Sequence, residues 1–336
     1  MESGKHIKTG AGIAAVVVCL LGAAVYLVSR SKETEPEYIF TYAENQTQDY
    51  PTTLGANRFA ELVEERTQGR IRIRVYAESV MGSESEVIKQ MRYGGIDFAR
   101  ISIAQISDYV EEMSVLQLPY LYDDSDHMWR VLDGEIGERF LEYPREYGLV
   151  GLSWYDAGAR NIYCTTPIKT LEDMEGLRIR VQEAEMMSDM ITALGALPIQ
   201  IPYDRVYEAL ERKQVDGAEN NWSSYETMRH YEVAGYFTVD EHIRIPEMQI
   251  CSVHTWDQLS EQDRRIIIEC ARESALYERQ LWTQHEEQAR ETALANNVRE
   301  IRLTDEELAK FRSSMAPIYK QYYQDYGEVI EEIMKK

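Results

Sequence analysis

Cysteine is scarce in this sequence, and the spacing of the cysteines does not indicate a disulfide framework. Four cysteines occur in 336 residues, with no Cys-x-x-Cys pair. A disulfide scaffold and a structural zinc site are therefore not indicated, and buried free thiols are the expected state.

Basic residues are also in short supply. The chain has 36 Lys and Arg against 58 Asp and Glu, a formal charge of -22, and the first 37 residues are neutral, so the acidic excess lies beyond them. Such a body repels phosphate backbones, and no basic run offsets that repulsion, which excludes nucleic acid as a partner. Any anionic ligand has to be held by a few local cations.

Motifs for catalysis and cofactors are missing as well. The sequence contains no GxxxxGK[ST], no GxGxxG after a strand and no GxSxG, and its six histidines form no local cluster. The His285-Glu286 pair resembles the start of a metalloprotease motif but lacks the second histidine. We therefore expect no enzyme, no cofactor and no metal site, and an anchored hydrolase remains an alternative without a catalytic constellation.

One long hydrophobic run is present, at the N-terminal side. Residues 9–29 carry no charge, and 21 residues of helix reach roughly 30 Å, the thickness of a bilayer core. The run is longer than a typical signal-peptide core and no small-x-small cleavage site follows it, so we favour an uncleaved membrane anchor over a cleaved signal. The charges on its two sides are nearly equal, so its orientation stays open.

The remaining residues alternate between strand and helix patterns in two blocks. In the first, residues 38–42, 70–76 and 96–101 are predicted strands, separated by helical patterns, of which one opens with a capping box at Ser83 and Glu86. In the second, residues 149–155, 177–181, 198–201 and 215–219 are predicted strands, with a turn at residues 158–160. This order predicts two α/β lobes with parallel sheets.

A long helix is predicted beyond these blocks. Residues 260–293 contain neither glycine nor proline, and a helix of this length could cross both lobes. A second capping box, at Thr304 and Glu307, opens a further helix.

Three arginines near predicted strand ends are candidates for an anion site. They are Arg100, Arg160 and Arg180, each with apolar neighbours in the sequence. A guanidinium can hold a carboxylate with two parallel hydrogen bonds, and ligands of open α/β sheets sit beyond the carboxyl ends of strands. Pairing with surface acids is the structural alternative, since acids are abundant here.

Six separate segments resemble the substrate-binding proteins of TRAP (tripartite ATP-independent periplasmic) transporters, in that family's order. They are TQGRI (67–71), GGIDF (94–98), LPYLY (118–122), PIKTLEDMEGLRIRV (167–181), ALGA (193–196) and VDGAEN (215–220). The resemblance covers the chain from residue 38 to about residue 327.

The resemblance implies a two-lobed fold of the class II periplasmic-binding-protein type, with a hinge and a helix spanning both lobes. The implied division has an anchor or signal segment with its tether at residues 1–37. Lobe I takes residues 38–158 plus about 250–280, and lobe II residues 159–249 plus about 281–336.

The resemblance also implies ligand-binding residues. Arg180 matches the arginine that forks the ligand carboxylate, Arg160 a second common arginine, and Asn220 an asparagine that binds the same carboxylate. Further ligand contacts are expected from other positions, namely Arg100, Glu44, Asn45, Asn221 and His242.

The function implied is that of a monomeric extracellular or periplasmic receptor, held at the cell membrane by residues 9–29. It would capture a small-molecule carboxylate by hinge closure and deliver it to TRAP permease subunits. The segments at residues 220–226 and 240–242 are similar to the sugar-acid branch, which suggests glucuronate or galacturonate. The alternatives are a C4-dicarboxylate or keto-acid ligand, and a sensory module that feeds a signalling receptor.

Overall fold

The computed structural model describes residues 35–336, and the predicted anchor at residues 9–29 lies outside them. Within the described range, no helix combines the length and the apolar character that a membrane crossing requires.

Eleven strands occur in the described residues. They are β1 (Tyr38–Ala43), β2 (Ile71–Tyr76), β3 (Phe98–Ser102), β4 (Leu149–Tyr155), β5 (Ala159–Cys164), β6 (Arg178–Val181), β7 (Leu197–Gln200), β8 (Gly217–Asn220), β9 (Tyr236–Arg244), β10 (Glu247–Ser252) and β11 (Arg299–Arg302).

The α-helices of the same range follow or flank these strands. They are α1 (Pro51–Arg66), α2 (Glu84–Arg92), α3 (Ile103–Ser107), α4 (Ser125–Leu132), α5 (Glu135–Glu142), α6 (Glu185–Ala193), α7 (Val206–Glu211), α8 (Trp222–Thr227), α9 (Val253–Gln258), α10 (Glu261–Ala295), α11 (Asp305–Ser314) and α12 (Ala316–Met334).

Local sequence signals account for several of these boundaries. Ser83 caps α2 in the predicted capping box, and Ser260 caps α10 by accepting the backbone N–H of Asp263. Proline at the first position of α1 has its φ angle already set for a helix. The apolar face of α2 (Val87, Ile88 and Met91) is buried, as its spacing predicts.

The first sheet has the order β2-β1-β3-β10-β4. Strands β1, β2 and β3 are parallel, as predicted, but β10 runs antiparallel to both β3 and β4. The sequence pattern missed β10 because its residues EMQICS carry buried polar side chains and lack an apolar run.

The second sheet has the order β11-β9-β5-β8-β6-β7. Strand β6 is parallel to β7 and β8, whereas β5 is antiparallel to β8 and β9, so the predicted all-parallel layout is wrong for both sheets. The turn predicted at residues 158–160 is also wrong in part. Gly158, with φ +60°, makes the bend, and Ala159 and Arg160 already belong to β5.

The chain passes between the sheets at residues 156–158, at residues 245–246 and along α10. With 35 residues, α10 is about 50 Å long and packs against α1 and β4 on one side and α8 on the other. The predicted long helix is thus confirmed, and it braces both lobes.

The lobe boundaries stay a prediction, although the C-terminal helix bears on them. The carbonyl of Ile333 in α12 contacts His127 Nε2 at 2.8 Å, and Glu332 pairs with Arg139 at 3.3 Å. The end of α12 therefore packs on the helices beside the first sheet, whereas the predicted division places it in lobe II. Cys164, Cys251 and Cys270 are buried free thiols, as expected.

Candidate functional site

A polar cleft lies between the two sheets and is lined by residues from both sides. Six of the eight predicted ligand residues line it, namely Asn45, Arg100, Arg160, Arg180, Asn220 and Asn221. Glu44 and His242 do not.

Strand direction explains why these residues meet. Arg180 and Asn220 stand at the carboxyl ends of the parallel strands β6 and β8, and Asn45 follows β1. Arg160 lies near the start of β5 and Glu247 starts β10, both on strands that run the opposite way. When two neighbouring strands run in opposite directions, the first residues of one lie beside the last residues of the other, at the same edge of the sheet. All five residues therefore face the cleft.

Arg180 is buried in the cleft wall and has no counter-ion among the residues that the structure describes. Its Nε donates to the carbonyl of Ile201 at 2.8 Å, while Nη1 is buried with no hydrogen-bond partner in residues 35–336. No carboxylate in that range comes within salt-bridge distance, and the residue is 2 % exposed. Burial lowers the pKa of Arg180, yet an arginine stays protonated. An unpaired buried charge is costly, so this guanidinium is set up to receive an anion.

Arg160 is already engaged in a buried ion pair. Its Nη2 donates to Glu219 Oε1 at 2.9 Å and to the Glu219 carbonyl at 2.9 Å, and its Nε donates to Oε2. Burial opposes ionisation of Glu219, but Arg160 and His242 outweigh it and lower the pKa to about 2. Arg160 Nη1 takes no part in these bonds, so one face of the guanidinium remains available to the cleft.

His242 lies behind this pair and is fully buried. Its Nε2 is 3.6 Å from Glu219 Oε2, and its Nδ1 is 3.0 Å from Asp240 Oδ2. Burial would lower the pKa of His242, but Asp240 and Glu219 raise it to about 9. His242 does not line the cleft, and it lies behind Glu219, the ion-pair partner of Arg160.

Arg100 is saturated by acids. Its Nη1 donates to Glu84 at 3.0 Å and to Glu247 at 2.8 Å, its Nε donates to Glu44 at 3.1 Å, and Nη2 reaches Glu44 and Asn45. Arg100 thus pairs with acids of this chain while it also lines the cleft. Glu44 also accepts the backbone N–H groups of Asn45 and Gln46, so it shapes the loop after β1 from outside the cleft.

The two neighbouring asparagines have different roles. Asn220 Oδ1 accepts the backbone N–H of Asn221 at 2.9 Å, which leaves its Nδ2 without a partner in the described residues. Asn221 caps α8 through Ser224 N at 2.6 Å, and its Nδ2 donates to Ala157 O at 2.9 Å. Asn220 can therefore donate to a ligand, whereas both polar atoms of Asn221 are occupied.

The cleft also contains residues that the sequence pattern did not single out. Gln46 Oε1, Gln182 Oε1 and the Tyr203 hydroxyl are buried without a protein partner in residues 35–336. The Tyr50 hydroxyl contacts Ser224 Oγ at 3.0 Å and so joins the two sides of the cleft. Gln182 follows the segment GLRIRV directly, which is a signal that could have been used.

Sequence comparison assigns the chain to a family. The model of the bacterial extracellular solute-binding proteins, family 7, matches residues 42–325. The chain belongs to this family.

Individual relatives agree with that assignment. A solute-binding protein of Chromohalobacter salexigens is 38 % identical over 281 residues, 83 % of each chain. A TRAP periplasmic solute-binding protein of a Bradyrhizobium species, solved with galacturonate, superposes with a TM-score of 0.86 at 35 % identity, over 88 % of this chain and 99 % of that one. A C. salexigens protein solved with D-glucuronate gives 0.84 at 35 % identity, over 88 % and 98 %.

The protein is thus a solute-binding receptor of a TRAP transporter, and its family and fold are those of transport proteins, not of enzymes. The resemblance inferred from six short segments is confirmed. The two lobes, the cleft between them and the bracing helix α10 are the architecture that the family predicts.

Proposed function

We propose that this receptor captures a sugar acid, such as galacturonate or glucuronate, and delivers it to TRAP permease subunits. The observation that carries the proposal is the buried Arg180 guanidinium, which has no counter-ion in residues 35–336. A ligand carboxylate would supply the missing charge and two hydrogen bonds at once.

In this proposal three groups converge on the carboxylate. Arg180 forks it, Arg160 adds the Nη1 group that Glu219 leaves free, and Asn220 adds its Nδ2. Asn45 lines the opposite wall, while Arg100, Glu44, Asn221 and His242 hold the site in shape. Closure of the lobes removes water from these pairs and strengthens them.

The rest of the cleft favours a ligand with several hydroxyl groups. Gln46 and Gln182 each present a buried side-chain oxygen, and Tyr203 presents a hydroxyl, none with a partner in the described residues. A sugar acid can bond to these groups, whereas the apolar chain of a keto acid would leave them unsatisfied at a cost of about 1–3 kcal/mol each. The uronates bound by the two solved relatives point the same way.

The membrane anchor at residues 9–29 is part of the proposal. It rests on the uncharged run in the sequence, which suits a receptor that must stay near its permease. We place the body on the extracellular or periplasmic side, as a monomer. A sensory role would use the same clamp, and capture of a signalling receptor in place of a permease would distinguish it.

A thermal-shift screen of the body from residue 35 onward tests the ligand class. The candidates are uronates, aldonates, C4-dicarboxylates and keto acids. A ligand at 100 times its Kd stabilises the folded state by about 2.7 kcal/mol, which raises the midpoint by roughly 4 °C for a body of this size. We expect this rise with a sugar acid, and a rise with dicarboxylates or keto acids alone would refute the proposal.

A further inference from the structure

We propose that Glu84 and Glu247 make this receptor select sugar acids with one carboxylate and reject those with two, by repelling a second carboxylate beside Arg100. The inference rests on the proposed function, because it concerns the part of the sugar acid that Arg180 does not hold.

The geometry at Arg100 supplies one cation for three carboxylates. Glu44, Glu84 and Glu247 all contact its guanidinium, and the side chains of the three acids are 0 %, 10 % and 8 % exposed. The group therefore keeps an excess of negative charge even when one acid is neutral. It offers no cation to a ligand, since each guanidinium nitrogen already donates to a protein oxygen.

Two carboxylate oxygens of this group remain free to meet a ligand. Glu84 uses Oε1 for Arg100 and for the backbone N–H of Ser102, both at 3.0 Å, and Glu247 uses Oε2 for Arg100. Glu84 Oε2 and Glu247 Oε1 accept no hydrogen bond from residues 35–336, and both side chains line the cleft. The unpaired Gln182 oxygen lines the same space.

Free carboxylate oxygens are acceptors, so they suit a ligand that donates. A sugar hydroxyl at this position forms a charge-assisted hydrogen bond, whereas a carboxylate brings a like charge and no proton. Glu183 and Asp204 also line the cleft and add to the negative field. One matched pair isolates the difference: galactonate ends in a CH₂OH group where galactarate has a second carboxylate.

The protonation state of Glu84 allows the selectivity to be tested a second way, by changing the pH. Burial raises the pKa of Glu84 to about 7, with Arg100 opposing and Glu247 and Glu44 adding to the rise. Below that pH the neutral carboxyl can donate a hydrogen bond to a second carboxylate. Rejection of galactarate should therefore be strong above pH 7 and weaken as the pH falls, while a monocarboxylate shows little change.

The test is calorimetry on the full chain with galacturonate, galactonate and galactarate, at pH values of about 5.5 and about 8 on either side of the Glu84 transition. The readout is the Kd of galactarate divided by the Kd of the best monocarboxylate. In the wild type we expect a ratio of about 100 at the higher pH, falling about tenfold at the lower pH.

Glu84→Gln is the central variant, because glutamine keeps an acceptor for Ser102 and Arg100. We expect its ratio to fall about tenfold at the higher pH and to change less with pH than the wild-type ratio does, since Glu247, whose pKa burial also raises, remains. The Kd ratio of the variant is compared with the Kd ratio of the wild type for the same ligands, so the effect of ligand shape cancels in this comparison. Glu65→Gln, which removes one exposed charge from α1, should keep the wild-type ratio.

The outcomes separate this inference from the proposed function. If no sugar acid binds, the proposed function fails and the inference fails with it. If a monocarboxylate binds and the ratio is the same in wild type and Glu84→Gln, the inference alone is overturned. If the variant does not fold, the pH dependence of the wild-type ratio decides: a ratio that does not change with pH overturns the inference.

Discussion

Replacing Arg180 with methionine should weaken sugar-acid binding by at least about 30-fold without destabilising the unliganded protein. Arg180 is 2 % exposed, donates one hydrogen bond to Ile201 and has a buried Nη1 without a partner in residues 35–336. This side chain therefore contributes mainly to the free energy of ligand binding and little to the stability of the unliganded protein. Methionine fills much of the same volume and brings no charge that must be buried.

The expected change in ligand affinity and the expected change in the stability of the unliganded protein have opposite signs. Truncating one partner of a buried charge pair costs about 2–5 kcal/mol of binding, which is about 30-fold to 5,000-fold in Kd. Replacing a buried charge with a packed apolar side chain is neutral or stabilises by about 1–4 kcal/mol. The variant should thus lose affinity while its unliganded free energy of unfolding stays level or rises.

Calorimetry with galacturonate and urea denaturation of the unliganded protein measure the two effects. Arg178→Met is the matched control, because Arg178 is on the same strand, lies outside the cleft and pairs with Asp216 at 2.7 Å in a partly exposed setting. It should retain wild-type affinity and lose at most about 1 kcal/mol of stability. Near-wild-type affinity in Arg180→Met, or an unliganded protein clearly destabilised by that change, would refute the reasoning.

Two further predictions concern the surroundings of the clamp. The pKa of His242 is about 9 in the folded state against 6.5 for the free group, so its contribution is fully present below pH 6.5 and is lost as the pH rises through 9. Urea denaturation across this range should show a loss on the order of 3 kcal/mol that is absent in His242→Gln, and an equal loss in both proteins would contradict the assignment. Tyr50→Phe removes the 3.0 Å contact with Ser224 across the cleft, and should weaken ligand affinity about twofold to tenfold. An unchanged Kd by calorimetry would mean that this contact does not hold the lobes together.

Much of the fold follows from local patterns that tertiary structure did not override. The capping box at Ser83, the N-cap at Ser260 and the alternation of apolar and polar residues in β2 each act within a few residues. Strands β9 and β10 escaped prediction because the interior they enter is polar. Their inward residues include Asp240, His242 and Glu247, which periodicity interprets as solvent-facing.

The same distinction between local sequence features and tertiary contacts applies to the residues of the site. Sequence alone was enough to nominate the three arginines as anion-binding candidates, because an arginine near a predicted strand end is a local feature. The sequence could not show which of the three arginines are paired with acids of the chain. Arg160 is paired with a residue 59 positions away and Arg100 with one 147 positions away, and such partners are set by sheet register.

The sequence by itself therefore determined the acidic body, the two α/β lobes, the long helix and the receptor family. These depend on composition, on periodicity and on short motifs. Tertiary structure alone decided that, of the three candidate arginines, Arg180 is the one without a counter-ion in residues 35–336, and that three acids surround Arg100. The physical reason is that a charge is free or neutralised according to what lies within about 4 Å of it, and chain order does not contain that distance.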